Sequence, residues 1–221
     1  MMFPKRLLDP QRINLYAYGR NNPLRFIDPT GMKIDDTECE KHRQCREWKE
    51  EYLKSEEGYK QWNKLQQDQT LTVTIVWDEE ADSSAVPNKD LNYNSDGELV
   101  NAIVRLAERS GDVNETDIVS PFNPKGATIT DNDERRVYTI GHEFAHIEDA
   151  AYDNPEKFQR LSNYAKIIHN AVQELGAYGA MQKQEIRSMQ AIIEAQQPVI
   201  EMKADDRGFN IVKSYRQSGN R

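Results

Sequence analysis

The chain has 221 residues, 37% hydrophobic and 30% charged, with a net charge of −8. That length suits one domain of ordinary size with a short appendage. No run of about 18 apolar residues occurs, which excludes a membrane-spanning helix, residues 1–6 lead into no apolar segment long enough for a secretory signal, and the acidic balance excludes nucleic-acid binding by a general basic surface.

Residues 1–32 stand apart from the rest. Lys5, Arg6, Arg12, Arg20 and Arg25 against Asp9 and Asp28 give +3, which leaves −11 for residues 33–221. Asn21-Asn22-Pro23 and Asp28-Pro29-Thr30-Gly31 are turn sequences flanking two short strand-like pieces, residues 15–18 and 24–27, so the arm reads as a small β-hairpin. The stretch from Asn14 to Met32 closely resembles the end of the RHS-repeat-associated core domain, which closes its β-cage with Pro-x4-Asp-Pro-x-Gly-Leu before a variable C-terminal effector. Pro23, Asp28, Pro29 and Gly31 match, and Met32 replaces the Leu. The resemblance implies that residues 1–32 belong to an RHS core shell and that residues 33–221 are the effector of a larger polymorphic toxin. It further implies self-cleavage after Met32, delivery by a secretion system to act in a target cell, and a cognate immunity protein that protects the producer.

Beyond Met32 the pattern predicts a charged helix over about 38–66, with Trp48, Tyr52, Leu53, Tyr59, Trp62 and Leu65 as its apolar positions. Cys39 and Cys45 fall inside it. In a helix their Cα atoms would stand roughly 9 Å apart, too far for a bridge, so two free thiols are expected; in a loop a bridge would be feasible. Cys39-x-x-His42-x-x-Cys45 also has the form of a metal site, but no fourth ligand is evident. Residues 71–77 alternate and are β-branched, which predicts a strand. Residues 78–97 read as loop, 98–109 as a short helix and 127–130 as a second strand. Helices follow over about 131–150, with Asp131 or Asn132 as cap, from Pro155 onward, over about 180–196, and from Pro198 to about Tyr215. The second of these carries a stripe of Phe158, Leu161, Ala165, Ile168, Val172 and Leu175.

The chemistry concentrates in Tyr138-Thr139-Ile140-Gly141-His142-Glu143-Phe144-Ala145-His146-Ile147, a His-Glu-x-x-His sequence within an apolar-periodic helix. A spacing of four puts His142 and His146 on one face, about 6 Å apart, where both imidazoles can reach one ion. Glu143 then sits beside that ion, where a carboxylate can take a proton from activated water. A catalytic zinc needs a third protein ligand and one open position. Asp149 lies roughly 10 Å along the axis from His142, so a straight helix cannot deliver all three, and another helix must supply the ligand. Glu201-Met202-Lys203-Ala204-Asp205 offers Glu201 as ligand and Asp205, one turn on, as acceptor of a ligand histidine's Nδ1–H; Gly208 on the same face would permit close helix packing. The rival is Glu174, which has no acidic partner four residues on.

His-Glu-x-x-His followed later by Glu-x-x-Ala-Asp resembles the gluzincin metallopeptidases, particularly the M48-like group, at His142, Glu143, His146, Glu201 and Asp205. The resemblance implies zinc as cofactor and a protein substrate, without the membrane helices of the integral members. The expectation is an α+β, mostly helical zincin-like domain over 33–221, with residues 71–77 and 127–130 in a small sheet under the active-site helix. Its function would be that of a zinc endopeptidase effector with Glu143 as general base. His169 and Tyr178 are minor candidates for oxyanion stabilisation, Tyr178 fitting better as buried packing. The competing readings are a non-catalytic zinc-binding or scaffold tail and a zinc hydrolase of a non-peptide amide.

Overall fold

The computed structural model describes residues 33–78, 91–111, 128–129 and 131–219. The arm over residues 1–32, with its expected hairpin and cleavage point, lies outside the described residues. The described residues are α+β, mostly helical with a four-stranded mixed sheet.

The sheet has strand order β1-β2-β4-β3, where β1 is Lys33–Asp35, β2 Thr72–Asp78, β3 Asn92–Tyr93 and β4 Leu99–Ala107. β1, β2 and β4 are parallel, and β3 joins β4 antiparallel at the edge. Val73, Ile75 and Trp77 alternate inward from β2 as their spacing predicts. β4 replaces the helix expected over 98–109. Its inward residues are Leu99, Ala102, Val104 and Leu106, and the irregular first step comes from a register shift against β3, which pairs Tyr93 with Leu99 and Asn92 with Asn101. That bulge inserts one residue, so a strand acquires the three-residue apolar gap of a helix. Asn92–Tyr93 lies in the span expected to be loop. The turn after it conforms: Asn94 Oδ1 accepts from the amides of Asp96 and Glu98, and Gly97 takes φ +84°. Thr128 and Ile129 are not in a strand, and residues 127 and 130 lie outside the described residues, so the expected strand there is replaced in the sheet by β1, β3 and β4.

The expected long N-terminal helix is three: α1 Thr37–Lys41, α2 Arg43–Lys54 and α3 Glu56–Gln66. His42 is extended and separates α1 from α2, which brings the Cα atoms of Cys39 and Cys45 to 5.1 Å and joins the two in a disulfide. Both cysteines are fully buried, so the expectation of free thiols is corrected, and their sulfurs are bonded to each other rather than offered to a metal. Ser55 makes the second break and caps α3 by accepting from the Gly58 amide at 3.1 Å. Trp48, Tyr52 and Leu65 reach the core, whereas Tyr59 is exposed.

α4 runs Asn132–Glu148, capped by Asp131, whose carboxylate accepts from the Glu134 amide at 2.8 Å. A π-helical turn, Asp149–Asp153, ends it before Pro155 opens α5, Pro155–Gln182. Phe158 and Leu161 are buried as the stripe predicts, but its far end is not: Leu175 is exposed, and Gly176 breaks the helix with φ +70°. α6 is one helix, Gln184–Gln217, through Pro198. A proline inside a helix removes one hydrogen bond, yet α6 continues through Pro198 to Gln217. Among the described residues no helix is long and apolar enough to cross a membrane.

Candidate metal centre

The centre is built where α4 and α6 cross antiparallel, with Glu201 opposite the histidines, Gly208 opposite Tyr138 and Arg216 opposite Glu134. Two glycines let the helices meet. A Cβ on Gly208 would stand 2.8 Å from the Tyr138 ring, and one on Gly141 would stand 2.6 Å from Ile211 Cδ1. Arg216 closes the far end as a fork on Glu134, Nε to Oε1 at 2.5 Å and a second nitrogen to Oε2 at 2.6 Å. On the other side of α4, Phe144 packs against Tyr52 and Trp62. Buried Glu148 accepts from Gln61 at 2.7 Å and from Lys64 at 2.9 Å. Lys203 donates to Asp149 and to Asp153, tying α6 to the π-helical turn. The ligand-bearing faces are therefore fixed by contacts on every side.

His142, His146 and Glu201 each offer one donor atom, and the three atoms lie within 4.8 Å of one another. The Nε2 atoms of the histidines are 3.1 Å apart, and Glu201 Oε2 lies 3.2 Å from His142 Nε2 and 3.5 Å from His146 Nε2. Three electron-rich atoms directed at one point can hold a metal ion. Asp205 Oδ1 takes the Nδ1 side of His142 at 3.0 Å, which leaves the Nε2 lone pair for the centre. Asp205 also accepts from Tyr138 Oη, whose ring packs on His142. Burial opposes charge on His142, but Asp205 and Glu201 outweigh it and raise its pKa to about 9. Burial acts in the same unfavourable sense on Glu201, yet hydrogen bonds to His142 and His146 hold its carboxyl well below the ordinary range.

Glu143 differs from all of these. It is 5% exposed, and its Oε2 has no hydrogen-bond partner among the described residues. Burial pushes its carboxyl up, against the pull of the two histidines. A buried carboxylate with an oxygen left without a hydrogen bond is costly to keep and suits a group that exchanges a proton.

Glu174 is exposed on α5 and outside the cluster, as is half-buried His169. Tyr178 is 82% exposed, so its expected buried packing is corrected; it lies near the Gly176 break, where α5 has left the core. Two residues of the centre were not anticipated, Tyr138 and Gln197, the latter donating to Glu201 Oε1 at 2.6 Å. Each precedes a ligand by four residues on its own helix, so the spacing that finds the ligand pair also points to them. Comparison with models of known families, with curated proteins and with solved structures finds no match for this chain.

Proposed function

We propose that residues 33–221 form a zinc-dependent endopeptidase. The observation that carries this reading is the convergence of His142, His146 and Glu201 beside buried Glu143, whose Oε2 has no hydrogen-bond partner among the described residues. Two imidazoles and one carboxylate suit zinc, and three protein donors leave the fourth position that a catalytic site needs and a structural site fills. The chemistry supplied by such an ion when bound is Lewis acidity toward a carbonyl oxygen and a water molecule. Glu143 accepts the proton of the attacking water and passes it to the leaving amine, and burial of its carboxyl favours holding the proton between the two events. Asp205 fixes the His142 ring in the tautomer whose Nε2 is free to ligate, while Tyr138 holds Asp205.

The biological setting follows from residues 14–32 alone. Their likeness to the RHS closing motif supports an effector released after Met32, delivered into a target cell to cut a protein there, and neutralised in the producer by an immunity protein. The test is to incubate the purified domain with a cell lysate and map new protein N-termini. New termini that vanish on chelation and return with zinc are expected; termini indifferent to chelation would refute the reading.

A further inference from the structure

We propose that Gln197 is a positioning residue that keeps Glu201 monodentate, by holding Oε1 so that Oε2 alone is offered to the metal. This rests on the reading of His142, His146 and Glu201 as the ligand set. The two oxygens of Glu201 have different partners. Oε2 faces both histidines, at 3.2 Å and 3.5 Å, whereas Oε1 accepts from Gln197 Nε2 at 2.6 Å. A carboxylate left to itself can chelate through both oxygens. With water in the open position of a catalytic site, a second carboxylate oxygen would take the ion from four-coordinate to five-coordinate.

An amide donor suits this task. Its N–H makes a charge-assisted bond to Oε1. Gln197 is one turn before Glu201 on the same helix, so α6 itself sets the distance between donor and acceptor. Both side chains are half-buried, which shields the bond from competing water. α4 has a counterpart: Tyr138, one turn before His142, donates to Asp205, whose Oδ1 lies 3.0 Å from His142 Nδ1.

The experiment loads the full chain with cobalt(II) alone and reads its visible absorption, which is strong for a four-coordinate ion and weaker for a five-coordinate one. Gln197→Met keeps length and removes the donor; Gln197→Lys keeps a donor. The Met variant is expected to lose band intensity, with metal affinity changed by about 10–100-fold, the usual effect of removing an outer hydrogen-bond partner. The Lys variant is expected to keep the parent spectrum. An unchanged spectrum in Gln197→Met, even with lowered stability, would overturn the proposal, and so would an equal loss in both variants, which would assign the effect to packing. Failure of the unmodified chain to bind cobalt would instead overturn the ligand assignment and this proposal with it.

Discussion

The two halves of α6 have the same backbone and different surroundings. Before Pro198 only Ile186 is buried, and Ile192 stands 40% exposed; from Ile200 onward Ala204, Asp205, Gly208, Phe209, Ile211, Val212 and Tyr215 are buried, largely where α6 meets α4. Glu201 sits at the start of the packed half. The difference teaches that the precision of the centre comes from the packed interface, with the glycines at 141 and 208 setting the distance between the helices, rather than from helix length or propensity. A ligand on the exposed end of α5, such as Glu174, would have no such support.

Ligand replacement should break the comparison most strongly. His142→Ala, His146→Ala and Glu201→Ala are each expected to abolish zinc retention against a chelator, because two protein donors do not hold the ion, while Glu174→Ala keeps full stoichiometry. Metal analysis after dialysis reads the result directly. Loss of zinc in Glu174→Ala with retention in Glu201→Ala would move the ligand to α5.

Next in size is the stability of the two halves. Ile211→Ala, at a fully buried site, should cost about 2–5 kcal/mol, whereas Ile192→Ala should fall within about 0.5 kcal/mol of the parent. Urea-unfolding midpoints of the metal-free variants measure both. Equal costs would mean that the exposed half is packed in solution.

The smallest effect is electrostatic. In the metal-free protein His142 has its pKa raised from 6.5 to about 9. Its ion pairs therefore add stability that is full below pH 6.5 and lost as pH rises through about 9. A metal must displace that proton, so binding at pH 7 should release about one proton and tighten with pH until about 9. Calorimetry in buffers of different ionisation enthalpy checks this. Binding without proton release would mean that His142 is already neutral.

Much of the ligand geometry is legible in the sequence because it rests on helical spacing. His142 and His146 share a face by arithmetic alone, and Glu201 with Asp205 repeats the same step on a second helix. Where one residue interrupts the period, the sequence misleads. The bulge in β4 puts the three-residue gap of a helix between buried Leu99 and Ala102, and single extended residues at His42 and Ser55 divide one charged run into three helices. The disulfide depends on the first of those breaks. The α5 stripe misleads for a related reason: it states which face could pack, and beyond Leu161 that face is left partly or fully open.

The central claim is that the packed α4–α6 interface holds a catalytic centre rather than a metal-binding one. Glu143→Gln tests it most directly, since it keeps the size of the side chain and removes its ability to accept a proton. Zinc content and cleavage of lysate proteins should be measured on the same preparation. The account predicts a folded protein with one zinc per chain and cleavage reduced by a factor of about 10²–10⁴. Full cleavage with zinc retained would contradict it.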